Sequence, residues 1–431
     1  MNLPLARRAY PETPATPTAE LSGFDAGTGR GFLSGGRIIG LLGPAFVAAV
    51  AFVDPGNIAI NVSAGADFRY LLLWTVIAAS LMAMVVQYLS AKLGMATGCS
   101  LAEVCRDNTT TPVRLMLWLV AELVVIMTDL AEFVGGAIAL NLLFSIPLLV
   151  GGLIMTAVTL FILRLRVNGR DSFPAVVVGL LAALLLALGY LLLRSPLDPA
   201  AAAAGLVPRF SSSHSVLLGC GVIGATVMPH AVFLHSSLVS GLDSRVRSIR
   251  TPAMLRFLRR DVIVAMGVAG LANVLILLIA TTLPAGSGGS LADAHAAFAR
   301  QEGALFAAIF AIALLVSGLA SACAGVYSGQ AIMQGFLRRS SSIWLRRMVS
   351  ALPALVILGL VSDPSQALVL SQVALSFGLP FALIPLILFT NRSGVMGSFA
   401  NKLPVTVAGV LITLIVLALN GFLLVRVLAP S

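Results

Sequence analysis

Charge is what this chain has least of. Only 10% of its 431 residues are Asp, Glu, Lys or Arg, too few to cover a soluble protein of this size with a polar surface. The hydrophobic fraction is 59% and the mean hydropathy is +1.02. Apolar stretches of about 20 residues recur along the whole chain, each long enough to cross a bilayer. Those run lengths exclude one large soluble core. Only four cysteines occur, Cys99, Cys105, Cys220 and Cys323, without CxxC or zinc-site spacing, and they read as small apolar fillers. HExxH, GxSxG and a paired catalytic Asp motif are missing, and the tails are short for a signalling domain. An enzyme or a receptor is therefore not expected. The net charge of +10 would suggest nucleic acid in a soluble protein; here no nucleic-acid partner is expected, because the membrane accounts for it.

What is present is the pattern of an all-α integral membrane protein. Residues 1–36, rich in Pro, Thr, Gly and Ala, read as a disordered cytoplasmic tail rather than a signal peptide. Eleven spans are expected: Ile38–Ala66, Leu71–Leu93, Leu117–Leu143, Ile146–Leu163, Phe173–Leu193, Val216–Val239, Val262–Leu283, Leu305–Phe336, Ile343–Val361, Ala367–Phe389 and Val405–Leu428. The ninth has the shortest apolar part, contains Pro353 and begins beside Arg346 and Arg347. With the N-terminus in the cytoplasm, 22 of the 27 basic residues fall on the cytoplasmic side, as the positive-inside rule demands. Only Arg69, Arg194, Arg209, Arg300 and Arg426 fall outside. The protein is expected in the cell inner (cytoplasmic) membrane among its lipids, with its C-terminus outside.

The first and sixth spans are interrupted, by Asp54-Pro55-Gly56-Asn57 and by Met228-Pro229-His230. Broken helices at membrane depth are tolerated where they line a cavity or site. If each break opens a five-helix unit, 37–200 and 201–395 enter the membrane from opposite sides, because five is odd. This is the inverted-repeat logic of secondary transporters, with 396–431 as an additional last span.

Four acids fall well inside spans: Asp54, Glu122, Asp129 and Glu132. No Lys or Arg lies well inside the same spans, so these carboxylates are expected to pair with hydrogen bonds, protons or a metal. Asp54 offers a hard oxygen, Asn57 a neutral one, the unwound backbone near Ala51 carbonyls, and Met228 a thioether. A thioether contributes little to Mg²⁺ or Ca²⁺ but suits later transition metals. Asp129 and Glu132, at i, i+3, share a helix face with Glu122. That line suits either a proton relay or interhelical hydrogen bonding. His230 reads equally as a proton carrier or a packing residue, and His235 as a packing residue. Gln372 could be interhelical glue or a further metal ligand.

The motifs extend beyond the breaks. Asp54-Pro55-Gly56-Asn57 is followed by Gln87-Tyr88-Leu89-Ser90-Ala91-Lys92-Leu93-Gly94 and Thr97-Gly98. Then come Thr128-Asp129-Leu130-Ala131-Glu132-Phe133, Gly224-Ala225-Thr226-Val227-Met228-Pro229-His230, Met333-Gln334-Gly335-Phe336 and Leu370-Ser371-Gln372. In order and spacing the chain, from about residue 37 to its end, resembles the Nramp transporters, specifically the bacterial proton-coupled manganese importers. The resemblance implies a LeuT-type fold. It implies that Asp54, Asn57 and Met228 bind the metal with the Ala51 carbonyl, joined in some states by the Ala225 carbonyl and Gln372. Asp54 and Asp129 would carry the proton steps, assisted by Glu132 and His230. Glu122, Arg346 and Arg347 would belong to the polar path toward the cytoplasm. Mn²⁺ or Fe²⁺ is then the transported substrate and H⁺ the coupling ion, with no cofactor and no obligate protein partner. Family members that carry Mg²⁺ or Al³⁺ typically lack the methionine. Two departures stand out: Ile58-Ala59-Ile60 replaces the usual aromatic, Ala and Thr, and Ser63-Ala64-Gly65 replaces a more usual Gly-Gly. A competing expectation is a carrier of the same architecture for another substrate, a Na⁺-coupled organic solute or Mg²⁺. Asp54 would repel the carboxylate of a free amino acid.

Overall fold

A computed structural model describes residues 44–165, 173–242, 252–284, 286–339, 342–361 and 364–428. The expected N-terminal tail, the start of the first span, and Arg166, Arg170, Arg245, Arg247 and Arg250 lie outside the described residues. Among those described, every regular element is a helix. The first span is two half-helices, α1 (Pro44–Ala51) and α2 (Pro55–Phe68), followed by α3 (Leu73–Thr97), the short α4 (Leu101–Asn108), α5 (Thr111–Phe144), α6 (Leu148–Leu165), α7 (Phe173–Arg194) and the short α8 (Pro199–Ala204). The sixth is again two halves, α9 (Ser213–Val227) and α10 (Pro229–Ser240). Then follow α11 (Pro252–Ala280), α12 (Leu291–Gln301), α13 (Ala304–Leu337), α14 (Ile343–Leu360), α15 (Ser365–Asn391), α16 (Ser393–Met396) and α17 (Leu403–Leu428).

Both breaks have the same local cause. Pro55 and Pro229 each occupy the first helical position of the second half. Proline cannot continue the helix before it, having no N–H to give, but its fixed φ starts the next one. Among the described residues, seven helical segments are long and apolar enough to cross a membrane, and two shorter apolar helices, Leu148–Ile162 and Val178–Arg194, accompany them. α14 is in neither group; its first turn carries Arg346 and Arg347. Two limits differ from expectation. α11 begins at Pro252, so Arg256, Arg259 and Arg260 ride on its first turns rather than in a loop. α5 begins at Thr111, and its 34 residues extend about 51 Å, well beyond a hydrocarbon core of about 30 Å.

Glycines bring the central helices together. A Cβ on Gly135 of α5 would overlap the Pro55 ring, and one on Gly65 of α2 would lie 2.5 Å from the Leu277 carbonyl of α11. Small residues allow this approach where no water drives helices together. The outer faces carry exposed Leu119, Leu153, Leu186, Leu271, Leu352 and Leu414, as lipid contact requires.

Candidate functional site

The site assembles where the two breaks meet. Asp54 caps the N-terminus of α2 and accepts from the backbone N–H groups of Asn57 (2.9 Å) and Gly56 (3.3 Å). The carboxylate thus faces the positive end of a half-helix. Asn57 joins both breaks: its Nδ2 donates to the Phe52 carbonyl at 2.9 Å and to the Ala225 carbonyl, near the end of α9, at 2.8 Å. Ala51 closes α1, where the last carbonyls have no intrahelical partner. Met228 alone separates α9 from α10, with φ 40° and ψ 99°. This is a left-handed backbone that a side chain resists and that surrounding structure must enforce. On α15, the Gln372 amide fills the space that a Cβ on Gly56 would take, beside Asp54 Oδ2.

The six expected metal-site residues are all buried: Asp54, Asn57, Met228, Ala225 and Gln372 are 0% exposed and Ala51 2%. Asp54 is enclosed on all sides by protein. Two oxygens of the kind a divalent ion accepts, Asn57 Oδ1 and Gln372 Oε1, are buried without a hydrogen-bond partner. Among the described residues no Lys, Arg or His forms an ion pair with Asp54.

The other three acids behave differently, and here one expectation is corrected. The sequence suggested that no Lys or Arg would neutralise them, but α14 supplies two arginines from its first turn. Arg347, 0% exposed, donates from Nη1 to Asp129 Oδ1 at 2.9 Å and to Glu132 Oε2 at 3.5 Å. Its guanidinium lies 4.1 Å from the centre of the Phe133 ring and donates to Thr159 Oγ1 at 3.4 Å. Arg346 forks onto Glu122 at 3.2 and 2.6 Å. α13 makes room with glycines. A Cβ on Gly325 would lie 2.9 Å from Asp129 Oδ1 and 3.0 Å from Glu132 Oε1, and one on Gly329 would overlap the Arg346 guanidinium. His230 Nδ1 lies 3.2 Å from Thr128 Oγ1, while its Nε2 is buried without a partner. His235 bonds Gln87 at 2.9 Å, a contact between α10 and α3.

A family model described as natural resistance-associated macrophage protein-like matches residues 45–426. The chain belongs to the Nramp family. Among its Nramp relatives, a divalent metal cation transporter, MntH, of Mycobacterium leprae is 46% identical over 395 residues, spanning 89% of this chain and 91% of that one. MntH of Bacillus subtilis is 43% identical over 401 residues, spanning 92% and 93%. Among solved structures, a variant of the Eremococcus coleocola manganese transporter aligns with a TM-score of 0.77 at 31% identity, covering 88% of this chain and 86% of that one. MhsT in complex with L-phenylalanine aligns at 0.61 with 14% identity over 89% and 98%. At that identity the likeness is one of fold alone. It places this Nramp chain in the LeuT-type architecture.

Four residues that hold this Nramp site were not read from the sequence. Asn273 of α11 donates to the Phe52 carbonyl at 3.2 Å and Ser317 of α13 to the Val53 carbonyl at 2.6 Å. They satisfy the backbone freed by the first break, as burial in a membrane demands. Thr159 supports Arg347. Asp261 of α11 accepts from the Ala45 N–H in the first turn of α1 at 3.1 Å. The available signal was a lone polar residue inside an apolar run, which Asn273 and Ser317 are; Asp261 fell one residue outside its expected span.

Proposed function

We propose that this chain imports divalent transition metal ions, Mn²⁺ foremost and also Fe²⁺, Co²⁺ and Cd²⁺, together with protons by alternating access. The observation that carries the reading is Asp54: a completely buried carboxylate held by two backbone N–H groups and, among the described residues, by no cationic side chain. A buried charge without a counter-charge is costly, and the missing cation is then the substrate. Asp54, Asn57 and Met228, with the carbonyls of Ala51 and Ala225 and the Gln372 amide, form the ligand set. The two orphaned amide oxygens support Asn57 and Gln372 in it. The Met228 thioether disfavours Mg²⁺ and Ca²⁺.

Asp54 and Asp129 carry the proton steps, assisted by His230 and Glu132, and the Arg347 and Arg346–Glu122 contacts continue that file toward the cytoplasm. Because the ligands are buried, loading and release require the half-helices to move against the rest of the bundle. The accompanying topology is eleven spans in units 37–200, 201–395 and 396–431, with the N-terminus cytoplasmic and the C-terminus outside the inner membrane. Basic-residue asymmetry supports it.

The test is uptake into proteoliposomes under a membrane potential, with an internal pH dye. Mn²⁺ entry with acidification, and no Mg²⁺ or Ca²⁺ entry, is expected. Equal Mg²⁺ flux, or Mn²⁺ flux at a normal rate in Asp54→Ala, overturns the reading.

A further inference from the structure

We propose that the cytoplasmic end of the bundle holds a pocket for the phosphate headgroup of an anionic phospholipid. A cavity of about 580 Å³ opens between α4, the start of α5 and the C-terminal end of α13. Its lining includes four arginines, Arg106, Arg114, Arg338 and Arg339, one carboxylate, Asp107, and the apolar Phe336.

Asp107 is already engaged. It accepts from Arg106 Nε at 2.8 Å and Nη2 at 3.2 Å, and Arg338 lies 3.7 Å away. Arg106 also donates to the Gly335 carbonyl at 2.6 Å, tying α4 to α13. One carboxylate leaves the lining with a large excess of positive charge. Arg114 Nε is buried and, among the described residues, has no hydrogen-bond partner. A buried donor in that condition is costly until an acceptor arrives. Arg114 also sits in the first turn of α5, where the helix dipole favours an anion rather than a cation. Both facts call for a negatively charged oxygen in the pocket.

The surroundings select a lipid as its source. α5 is far longer than the hydrocarbon core, so its first turns lie at headgroup level. Val113 and Leu115, on either side of Arg114, are 41% and 43% exposed, and Leu119, one turn beyond Leu115, is 53% exposed. Leu115 and Leu119, at i and i+4, begin an apolar surface beside Arg114. A ligand that uses both features has an anionic phosphate head and a hydrocarbon chain. Basic pockets between helix ends on the cytoplasmic side are suited to such headgroups. The pocket shares no residue with the metal ligands, and the inference rests only on the orientation proposed above.

Native mass spectrometry of the purified full chain, with dioleoylphosphatidylglycerol or dioleoylphosphatidylcholine added to the detergent, tests it. Retention of phosphatidylglycerol over phosphatidylcholine is expected. Arg114→Gln/Arg339→Gln should weaken it about thirty-fold, from the usual contribution of a basic residue near an anionic surface. Arg194→Gln, at the other end of the bundle, should leave it unchanged. If the double variant does not fold, Arg339→Gln alone, an exposed residue, should weaken retention about five-fold. Equal retention of the two lipids, or unchanged retention in the arginine variants, overturns the proposal. So does displacement of the lipid by excess inorganic phosphate, which would assign the pocket to free phosphate instead. The readout is lipid retention, so its failure leaves metal import untouched.

Discussion

Replacing Arg347 with Met should be among the most destabilising single substitutions in this chain. Arg347 is fully buried and lies 2.9 Å from Asp129 and 3.5 Å from Glu132. At an effective dielectric constant of ~20 the contact with Asp129 corresponds to a gross attraction of about 6 kcal/mol. Most of that offsets the desolvation of the charges involved, so the intact cluster contributes little net stability. Its rupture is another matter. Removing the single cation leaves two carboxylates in a space sealed by Gly325 and Phe133, and losing one partner of a buried pair costs roughly 3–5 kcal/mol. The measure is reversible unfolding in mixed micelles, followed by tryptophan fluorescence. Arg347→Met should lose about 3–5 kcal/mol, whereas Asp129→Asn/Glu132→Gln/Arg347→Met, with no charge left to strand, should regain at least half of it. A single variant within about 1 kcal/mol of the wild type, or a triple variant no better than the single, would refute this reasoning.

Three further outcomes are expected. Asp54→Asn keeps the helix cap, since Asn caps almost as well as Asp, but removes the charge; it should melt near the wild type while losing Mn²⁺ uptake by a factor on the order of 100 or more, and retained uptake would show the charge is not the ligand. Gly135→Ala drives a methyl into the Pro55 ring and should cost about 1–3 kcal/mol, against no loss for Gly189→Ala, where nothing lies within 4 Å; comparable melts would contradict the packing. On α12, burial lowers the pKa of His295 from its ordinary 6.5. The unfolded chain therefore takes the proton first. The stabilisation is present above that pH and lost as pH falls through it. His295→Gln should flatten the melting temperature between about pH 7 and about pH 5, and an unchanged slope would exclude His295 as its source.

The breaks were legible because they violate a strong rule locally: Asp54-Pro55-Gly56-Asn57 and Met228-Pro229 are polar or helix-breaking residues inside otherwise apolar runs. Asn57 and Gln372 were legible as amides in the same setting. From the residues alone Arg347 was read for its charge; the family resemblance put it on the polar path but did not name Asp129 and Glu132 as its partners. In sequence an arginine at the start of a weak span looks like orientation signal, and nothing local says that α14 folds back 218 residues to place it between Asp129 and Glu132. Asn273 and Ser317 stood out only as lone polar residues, and their role was not legible for a related reason. Their role exists only once the chain has left the Phe52 and Val53 carbonyls without helical partners. Asp261 was lost to a boundary, because α11 starts ten residues earlier than its apolar run. Single residues that break a pattern announce themselves, and residues that answer another segment's need do not.

The glycines of α13 limit how the row of polar side chains beside them can be altered. Gly318 faces Pro55, Gly325 faces the carboxylates of Asp129 and Glu132, and Gly329 faces Arg346. These positions, seven and four residues apart, lie along one side of the helix, and the wall they form is bare backbone. Glycine has no smaller substitute, so every replacement there adds atoms to the groove and none can widen it. Variation along this wall is therefore one-sided: drift can only obstruct it, and restored function must come from the opposite bank, by shortening what stands on α5 or α14.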